Sequence, residues 1–528
     1  MAMKEIVLAR IDELQDGEMK AFSVGDDKIL LSKIAGVFYA VGGLCPHYGA
    51  PLDEGILHDG IVVCPWHHAF YDAKTGDVIE PPSLDSLPRY EVIIQGQNVV
   101  VKLPEVIPDR RVLIAKKQDL RADKRTFVIV GAGGAGNAAA QTLREDDFKG
   151  RIVMITRENQ APYDRPMLSK DYMEGAAGEE LVPLRSETFY KDNDIELMLQ
   201  REVKLVDILK KLITFDNGEN LAYDAVLLAS GGVPKPFMVP GVELKNIFTL
   251  RSFEDSNKIL ESARTASHVG IIGSGFIGME TAHSLTKRKL SVTVIAPEDT
   301  PFQNVLGKKI GQMFRQLHEK AGVRFKMGAK VAKFEGSKNV QTIVLESGER
   351  IGADLVIVGT GVRPATDFLN GIDLLPDGSL TVDRFLCAAE NVYAAGDIAT
   401  FPLPHREEKV RIEHWRTALQ QGRVAGHNMA GKKTAYTSIP FFWTNQAGLY
   451  FRYVGHASEW DEIIIHGDIA SQDFIAYYVK NNKVHAAAGN NREKEMAVIE
   501  VLMQLNRMPS AQELKEGKVD LVALLKQR

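Results

Sequence analysis

The stretch VIVGAGGAGNAAA, residues 128–140, decides the fold of most of this chain. Apolar residues typical of a buried strand run into Gly131, Gly133 and Gly136, and an alanine-rich helical segment follows. Glycines in this G-x-G-x-x-G order let the backbone turn tightly and approach a pyrophosphate at the N-terminus of a helix. Glu158 follows about 20 residues further on, where a carboxylate accepts hydrogen bonds from the ribose hydroxyls of a dinucleotide.

The same pattern returns in HVGIIGSGFIGMETA, residues 268–282. Its glycines are Gly273, Gly275 and Gly278, and Glu298 stands about 20 residues past the third one. One copy is a weak signal, because a glycine-rich turn can also bind nothing. Two complete copies, each after a strand and before a helix, predict two Rossmann-like α/β domains that bind two dinucleotides.

Glu298 also bears on the choice of nicotinamide cofactor. A carboxylate repels the 2′-phosphate of NADPH, and no arginine follows it closely. The sequence therefore favours NADH.

The first 103 residues contain short alternating runs such as KILLSKIAGVFYAVGG, which predict an all-β unit. Within it, Cys45-x-His47 is separated by 16 residues from Cys64-x-x-His67. Two thiolates on one iron and two imidazoles on the other form a Rieske [2Fe–2S] site. Zinc is the competing metal, since two cysteines and two histidines also suit it, and a chance grouping is the remaining alternative. Cys-x-His spacing is uncommon in zinc fingers, so the Rieske interpretation is favoured.

The part of the chain that contains these four residues resembles the Rieske ferredoxin family over about 100 residues. One departure is His68, where that family commonly has glycine, and His68 competes with His67 as a ligand in principle. The spacing favours His67. High-potential Rieske proteins carry an extra cysteine pair, but only Cys387 remains in this chain of 3 cysteines. The resemblance thus implies a low-potential, ferredoxin-like cluster.

The segment APYDRPMLSKDY, residues 161–172, resembles the flavin-contacting segment of NADH-dependent ferredoxin reductases and of apoptosis-inducing factor. Similar likenesses occur in LLASGG, VYAAGDIA, IEHWRTALQQGRVAGHNMAG and IPFFWTNQAG. The order of Rieske unit, reductase and small C-terminal unit resembles the Rieske-bearing apoptosis-inducing-factor-like proteins and their bacterial counterparts.

This resemblance implies the residues that bind FAD, which are Gly131, Gly133, Gly136, Glu158, Arg165, Lys170 and Asp397. It also implies that Glu413, His414 and Trp415 lie near the flavin. Lys170 is expected beside the flavin N5 edge, paired with Glu280, and both are assigned to catalysis. A buried lysine or glutamate alone costs several kcal/mol, so each needs the other; the alternative is two surface charges that never meet. Trp443 either covers the flavin or belongs to the core.

The chain of 528 residues is too long for one core. The expected units are a Rieske domain (1–103), a linker (104–125), an FAD-binding domain (126–250 and 375–430), an NAD-binding domain (251–374) and a C-terminal α+β reductase-type domain (431–528). The linker spans roughly 70 Å when extended. It would let the Rieske domain visit the flavin and then a partner.

The composition of the chain and the motifs that it lacks argue against several classes of protein. The net charge of −5 argues against nucleic-acid binding. We find no apolar run of 18 residues, so no membrane span is expected. Few cysteines and no signal peptide indicate the cytoplasm. The chain lacks Cys-x-x-Cys and Cys-x₄-Cys pairs, which excludes dithiol–disulfide reduction, and Cys387 is expected in the core with peroxidase chemistry as its alternative.

The predicted function is an oxidoreductase that passes electrons from NADH via FAD to a Rieske cluster and on to an external acceptor, either a protein or a small molecule. One alternative is an NADH-sensing, apoptosis-inducing-factor-like signalling protein. Another is the reductase component of an oxygenase system. A homodimer is left open.

We predict that the unaltered protein has a higher kcat/KM for NADH than for NADPH. Replacing Glu298 with serine and placing an arginine beside it should shift the preference toward NADPH, because the repulsion of the 2′-phosphate is removed. Steady-state rates with both nucleotides measure this. An unaltered protein that prefers NADPH would contradict the ribose argument.

Overall fold

The computed structural model describes residues 3–112 and 117–527. The expected linker, 104–125, therefore falls partly outside the described residues. In its described first part, the backbone of Arg111 pairs with that of Ser86, which keeps this segment against the N-terminal domain.

The N-terminal domain consists of two antiparallel sheets. The larger one contains the strands Met3–Arg10, Met19–Val24, Asp27–Ile34, Val37–Gly42, Arg89–Gln95 and Asn98–Pro104. The smaller one contains Ile56–His58, Ile61–Val63, Phe70–Asp72 and Val78–Glu80, after a short 3-10 helix at Leu52–Glu54. The two loops with the predicted cluster ligands flank the smaller sheet, and their cysteines are buried in its apolar core. The predicted all-β unit is confirmed.

The first glycine turn lies in the middle of a six-stranded sheet. Thr126–Val130 pairs in parallel with Arg151–Ile155 on one side and with Ala225–Leu228 on the other. The helix Gly134–Glu145 follows the turn and packs on the helix Trp415–Met429. The remaining strands of this sheet are Ile195–Met198, Cys387–Ala389 and Val392–Ala394.

Smaller elements surround this sheet. The strands are Val203–Asp207, Leu212–Phe215, Asn220–Ala222, Gly232–Pro234, Val362–Pro364, Leu369–Asn370, Leu380–Thr381, Ala399–Pro402 and Lys409–Arg411. The helices are Arg165–Ser169, Asp171–Glu174, Glu179–Leu181 and Glu187–Asp192.

The second glycine turn repeats this construction in a five-stranded parallel sheet. His268–Ile272 pairs with Ser291–Ala296 and with Leu355–Val358, and the helix Phe276–Lys287 follows the turn. The other strands of the sheet are Ile247–Thr249 and Arg324–Met327, and a separate small sheet contains Val331–Glu335, Thr342–Leu345 and Arg350–Gly352. The remaining helices of this unit are Phe253–Ala263, Gln303–Leu306 and Lys308–Lys320.

Two short strands lie on the other side of the expected domain boundaries. Ile247–Thr249 was expected in the FAD unit, but it pairs with Leu355–Val358 in the second sheet. Leu369–Asn370 was expected in the NAD unit, but it pairs with Val203–Asp207 of the first. Such short strands carry too little periodicity to be placed from sequence.

The C-terminal domain is an antiparallel sheet covered by helices. Its strands are Phe441–Gln446, Leu449–Gly455, Glu462–Asp468, Asp473–Lys480 and Lys483–Asn490, and its helices are Glu493–Gln504, Ala511–Lys515 and Leu521–Lys526. Its core is shared, because Ile56, Val63 and Phe70 of the N-terminal domain belong to the same apolar cluster. In the described part of the chain, no helix is long and apolar enough to cross a membrane.

Candidate functional site

The first glycine turn has the geometry that a dinucleotide requires. Gly131 has a φ of +112°, and a Cβ there would lie 2.2 Å from the carbonyl oxygen of Ala229. A Cβ on Gly136 would lie 2.0 Å from the Gly131 oxygen, so this glycine allows the helix to pack on the strand. A Cβ on Gly133 would meet nothing within 4 Å, because this residue faces a cavity. The open side of the turn thus fits a pyrophosphate.

The second turn repeats these three features. Gly273 has a φ of +105° and lies close to the oxygen of Gly359, and a Cβ on Gly278 would lie 2.8 Å from the Gly273 oxygen. Gly275, like its counterpart, faces open space. Glu298 follows the strand Ser291–Ala296 and lies 3.5 Å from the Ser274 hydroxyl, which places its carboxylate beside the turn.

A cavity of about 1490 Å³ opens beside the first turn. Most of the residues that the resemblance assigned to FAD line it: Gly131, Gly133, Glu158, Arg165, Lys170, Asp397, Glu413, His414, Trp415 and Trp443. Glu280 lines it as well, whereas Gly136 acts through packing. The size and the polar lining fit a dinucleotide.

Two acidic side chains that line this cavity are each paired with an arginine. The Glu158 carboxylate accepts hydrogen bonds from the Tyr163 hydroxyl at 2.6 Å and from Arg165 at 3.1 Å. Asp397 forms an ion pair with Arg251 at 2.7 Å. Each carboxylate is therefore fixed by an arginine, which orients its remaining lone pairs.

His414 and Trp415 form the wall next to Asp397. Burial lowers the pKa of His414 to about 3, so its ring is neutral at physiological pH. The Trp415 ring packs against Gly134, where a Cβ would lie 2.9 Å from the indole. The G-x-G-x-x-G pattern allows any residue at position 134. The contact with the Trp415 ring leaves no space for a side chain there, so glycine is required.

Lys170 and Glu280 form the predicted pair, with 2.8 Å between Nζ and Oε2. Both side chains are largely enclosed, with exposures of 17% and 5%. The Glu280 carboxylate also accepts hydrogen bonds from Ser169 and Thr444, both at 2.6 Å. Three donors hold this carboxylate in place, and the alternative of two surface charges that never meet is wrong.

The four predicted metal ligands are brought together at the tips of two loops. Cys45 and Cys64 are buried, and the Cys45 sulfur lies 3.1 Å from the Tyr71 hydroxyl. The Nδ1 atoms of His47 and His67 lie 3.1 Å apart. The loops are held by bonds such as Gly49 N–H to the Cys45 oxygen at 2.8 Å.

The donor set fits a two-iron cluster better than zinc. Among the described residues, no group of three or more His, Cys, Asp or Glu side chains is arranged to hold a single metal ion. Tetrahedral zinc needs all four ligands at one point, whereas each iron of a Rieske cluster takes two protein ligands.

His68 does not compete with His67, because its ring points away from the ligand set. Its Nδ1 lies 2.5 Å from Oε2 of Glu500, and its ring stacks on Phe441 at 4.1 Å. Its φ of +54° is left-handed, a conformation that glycine adopts without strain. This backbone requirement accounts for the glycine that Rieske ferredoxins commonly have at this position.

The cluster loops and the flavin cavity meet at Trp443. Its ring centroid lies 4.4 Å from that of His67 and 5.8 Å from that of His47, and the same indole lines the cavity. Trp443 therefore contacts the cluster loops and also lines the flavin cavity, a position that neither expectation for it included. The Rieske domain is docked here, in contrast to the expectation of a domain that visits the flavin on a linker.

Sequence reasoning missed Asp164, which lies in the quoted flavin segment next to Arg165. Its Oδ1 atom is buried and has no hydrogen-bond partner among the described residues. Burial raises the pKa of Asp164 to about 7; the nearby Lys170 opposes this rise and Asp171 adds to it. The only sequence signal was an acid directly before Arg165, a residue already assigned to the flavin.

Cys387 was expected in the core, but it is half-buried at the sheet edge. Its thiol donates to the Ala389 oxygen at 3.1 Å, and burial raises its pKa. A raised pKa suppresses the thiolate, which is the reactive form. The site therefore gives no support to peroxidase chemistry.

Comparison with known families matches the whole architecture. The family described as pyridine nucleotide-disulphide oxidoreductase matches residues 125–422. The Rieske [2Fe-2S] domain matches residues 4–91, and the reductase C-terminal family matches residues 441–525.

The chain belongs to the pyridine nucleotide-disulphide oxidoreductase family.

Relatives of this oxidoreductase agree with that assignment. Apoptosis-inducing factor 3 of Homo sapiens is 37% identical over 98% of this chain and 86% of its own length. The biphenyl dioxygenase system ferredoxin–NAD(+) reductase component of Paraburkholderia xenovorans is 31% identical over 76% of this chain and 98% of its own. The reductase in the covalent putidaredoxin reductase–putidaredoxin complex superposes with a TM-score of 0.72 and 28% identity, covering 76% of this chain and 98% of that chain.

The oxidoreductase thus uses FAD, NADH and a Rieske [2Fe–2S] cluster. It is an NADH-dependent flavin enzyme of the ferredoxin-reductase type, which transfers electrons from NADH via FAD to an acceptor. The predicted fold class, enzyme class and cofactors are confirmed, and zinc is excluded by the Rieske match.

Asp164→Asn should raise the free energy of unfolding of the flavin-free chain more at pH 8 than at pH 5. The unfolded carboxyl ionises from its ordinary pKa of 3.8, whereas the folded one stays protonated up to about 7. Stability contributed by this group therefore falls as pH rises from about 4 to 7, and asparagine removes that loss. Thermal unfolding at both pH values measures the difference. An equal gain at both would contradict it.

Proposed function

We propose that electrons leave the flavin cavity through Trp443 and His67 and reach the cluster of the same chain in its docked position. The observation that carries this proposal is the 4.4 Å separation of the two rings, with the indole also lining the flavin cavity. The Trp443 side chain thus provides one contact that joins the ligand loop of the cluster to the flavin cavity. No domain movement is needed between them.

Bound FAD supplies the chemistry that side chains lack, since it accepts a hydride and releases electrons singly. The residues of the chain hold it and set the electrostatics around it. The open glycine turn around Gly133 would receive the pyrophosphate, Glu158 would bind ribose hydroxyls, and Asp397 would hold the part of the cofactor between pyrophosphate and ring.

Lys170 and Glu280 act together at the cavity wall. The glutamate, held by Ser169 and Thr444, fixes the ammonium group of Lys170 in one position. With FAD bound, this preorganised positive charge would supply electrostatic stabilisation at the cavity wall. We assign catalysis to this pair on that basis.

The second glycine turn would hold the nicotinamide cofactor: Gly275, which faces open space, would receive its pyrophosphate, and Glu298, beside the turn, would bind its adenosine ribose. The Ser274 hydroxyl, 3.5 Å from Glu298, keeps that carboxylate at the turn. This arrangement supports NADH as the donor.

The acceptor beyond the cluster is a one-electron redox protein of the ferredoxin type. Several relatives are named as ferredoxin or rubredoxin reductases, which supports this class. The likeness to apoptosis-inducing factor 3 keeps NADH sensing as the second candidate. The complete ligand set argues for electron exit, because a sensor needs no cluster. The cytoplasm and a homodimer stay predictions.

Lys170→Ala should lower the rate of flavin reduction by about a hundredfold and leave NADH binding nearly unchanged, because the charge acts mainly in the transition state. Stopped-flow bleaching of the flavin measures the rate. Lys287→Ala is the matched control, since this lysine is half exposed and paired with Glu174 on the surface. An unchanged rate in Lys170→Ala would remove this residue from catalysis.

Cys64→Ser should lose the cluster and keep FAD, because the α/β domains have their own apolar cores. NADH should still bleach the flavin, and a small dye that reaches the flavin should be reduced as before. Reduction of a protein acceptor such as cytochrome c should fall by orders of magnitude.

Iron and sulfide analysis and FAD absorbance of the same preparation provide the controls for this variant. If cytochrome c were reduced equally fast without the cluster, the Rieske domain would not be the exit. NADH sensing would then become the better proposal.

A further inference from the structure

A buried cluster of charged residues joins three domains at the base of the Rieske loops. Arg416, with no exposed surface, is its centre. Its guanidinium group donates to Glu500 of the C-terminal domain at 2.7 Å and to Glu80 of the Rieske domain at 3.1 Å. Its Nε donates to the backbone oxygen of Pro81 at 2.9 Å. We call Glu80, Arg416, Glu500 and His68 the clasp.

His68 is the member of the clasp that lies beside a metal ligand. It follows His67 directly, and its contact with Glu500 spans 432 residues of sequence. Its left-handed φ of +54° strains any residue that has a Cβ. A glycine would relieve this strain, but it would lose the hydrogen bond to Glu500. The strain persists because the surrounding contacts hold the histidine in place.

Both carboxylates of the clasp are held by further groups. Glu80 accepts hydrogen bonds from Gln420 at 2.5 Å and from Ser438 at 3.0 Å. Burial alone would raise the pKa of Glu500, but Arg416 and His68 outweigh it and hold that pKa below its ordinary value. Removing one partner from such a set leaves an uncompensated buried charge, which strongly destabilises the arrangement.

Other contacts extend the same interface. Arg185 of the FAD domain forms a buried ion pair with Asp85 at 2.7 Å, and Arg452 donates to the oxygen of Trp66 at 3.0 Å. Ile56, Val63 and Phe70 of the Rieske domain share one apolar core with the C-terminal domain. Transient docking surfaces are usually more polar and carry fewer buried charges of this kind.

We propose that the clasp keeps the Rieske domain permanently docked, so that its four residues position the cluster ligands beside Trp443 throughout turnover. The domain is then a fixed component of the reductase and not a tethered shuttle. The consequence for electron flow rests on the route proposed above; the docking itself does not.

The first experiment tests docking without using activity. A protease recognition sequence is inserted within residues 104–125 of the holoprotein, the chain is cut there, and the products are separated by gel filtration. We expect the Rieske fragment to elute with the reductase fragment at micromolar concentration. Elution as two separate species would overturn the proposal. Because this readout needs no electron transfer, it is independent of the Cys64→Ser result.

The second experiment weakens the clasp with one substitution in the Rieske domain and one in the C-terminal domain. His68→Gly relieves the backbone strain within the Rieske loop, and Glu500→Gln leaves that loop untouched. Both variants, when cut, should release the Rieske fragment at concentrations where the unaltered cut protein stays together. Lys102→Gln is the matched control, since it removes an exposed ion pair with Glu91 within the Rieske domain. Retention of the fragment by both clasp variants, as by the control, would overturn the proposal.

The third measurement distinguishes positioning from general stability. In the uncut protein, the rate of electron transfer from flavin to cluster, followed by stopped-flow absorbance, should be independent of glycerol concentration. His68→Gly should slow this step by about tenfold or more and make it sensitive to viscosity, with the electron paramagnetic resonance signature of the cluster retained. A viscosity-dependent rate in the unaltered protein would indicate a moving domain and would refute the clasp.

Discussion

A positive charge without access to water constrains the whole molecule. Arg416 is completely buried, so its guanidinium group has no contact with water. It must therefore be paired, and the carboxylates that pair with it come from two other domains, Glu80 and Glu500. Trp415, the residue before Arg416, lines the flavin cavity. The first turn of the helix Trp415–Met429 therefore contributes to the cofactor site and also holds the Rieske domain in place.

Features that depend on local backbone geometry were predictable from the sequence. Gly131 and Gly273 need positive φ, and only a few turns place a glycine there between a strand and a helix. The ligand spacing of Cys45 and His47 is equally local. The pairing of Lys170 with Glu280 could be predicted from the sequence for two reasons. A buried charge requires a partner of opposite charge, and the family resemblance indicated that Glu280 is that partner.

The features that sequence did not predict are contacts between distant segments. His68 was noted as a departure from glycine, yet nothing in residues 43–70 indicates that a glutamate 432 positions away accepts its hydrogen bond. Arg416 stood within a quoted motif, but a motif does not reveal which surface a guanidinium faces. The two misplaced strands, Ile247–Thr249 and Leu369–Asn370, have the same cause, since their pairing partners lie in other parts of the chain.

Joining the Rieske domain to its reductase in one chain changes what the interface must do. A separate ferredoxin has to leave its reductase in order to reach an acceptor, so its docking surface must bind weakly. A linker of about 20 residues already gives the Rieske domain an effective concentration on the order of millimolar at its reductase. The docking surface of a linked domain is therefore not required to bind weakly. Buried charges such as Arg416 and a shared apolar core then become tolerable at the interface. A strained histidine in place of glycine at position 68 fits that setting, because its hydrogen bond to Glu500 exists only while the domain stays docked.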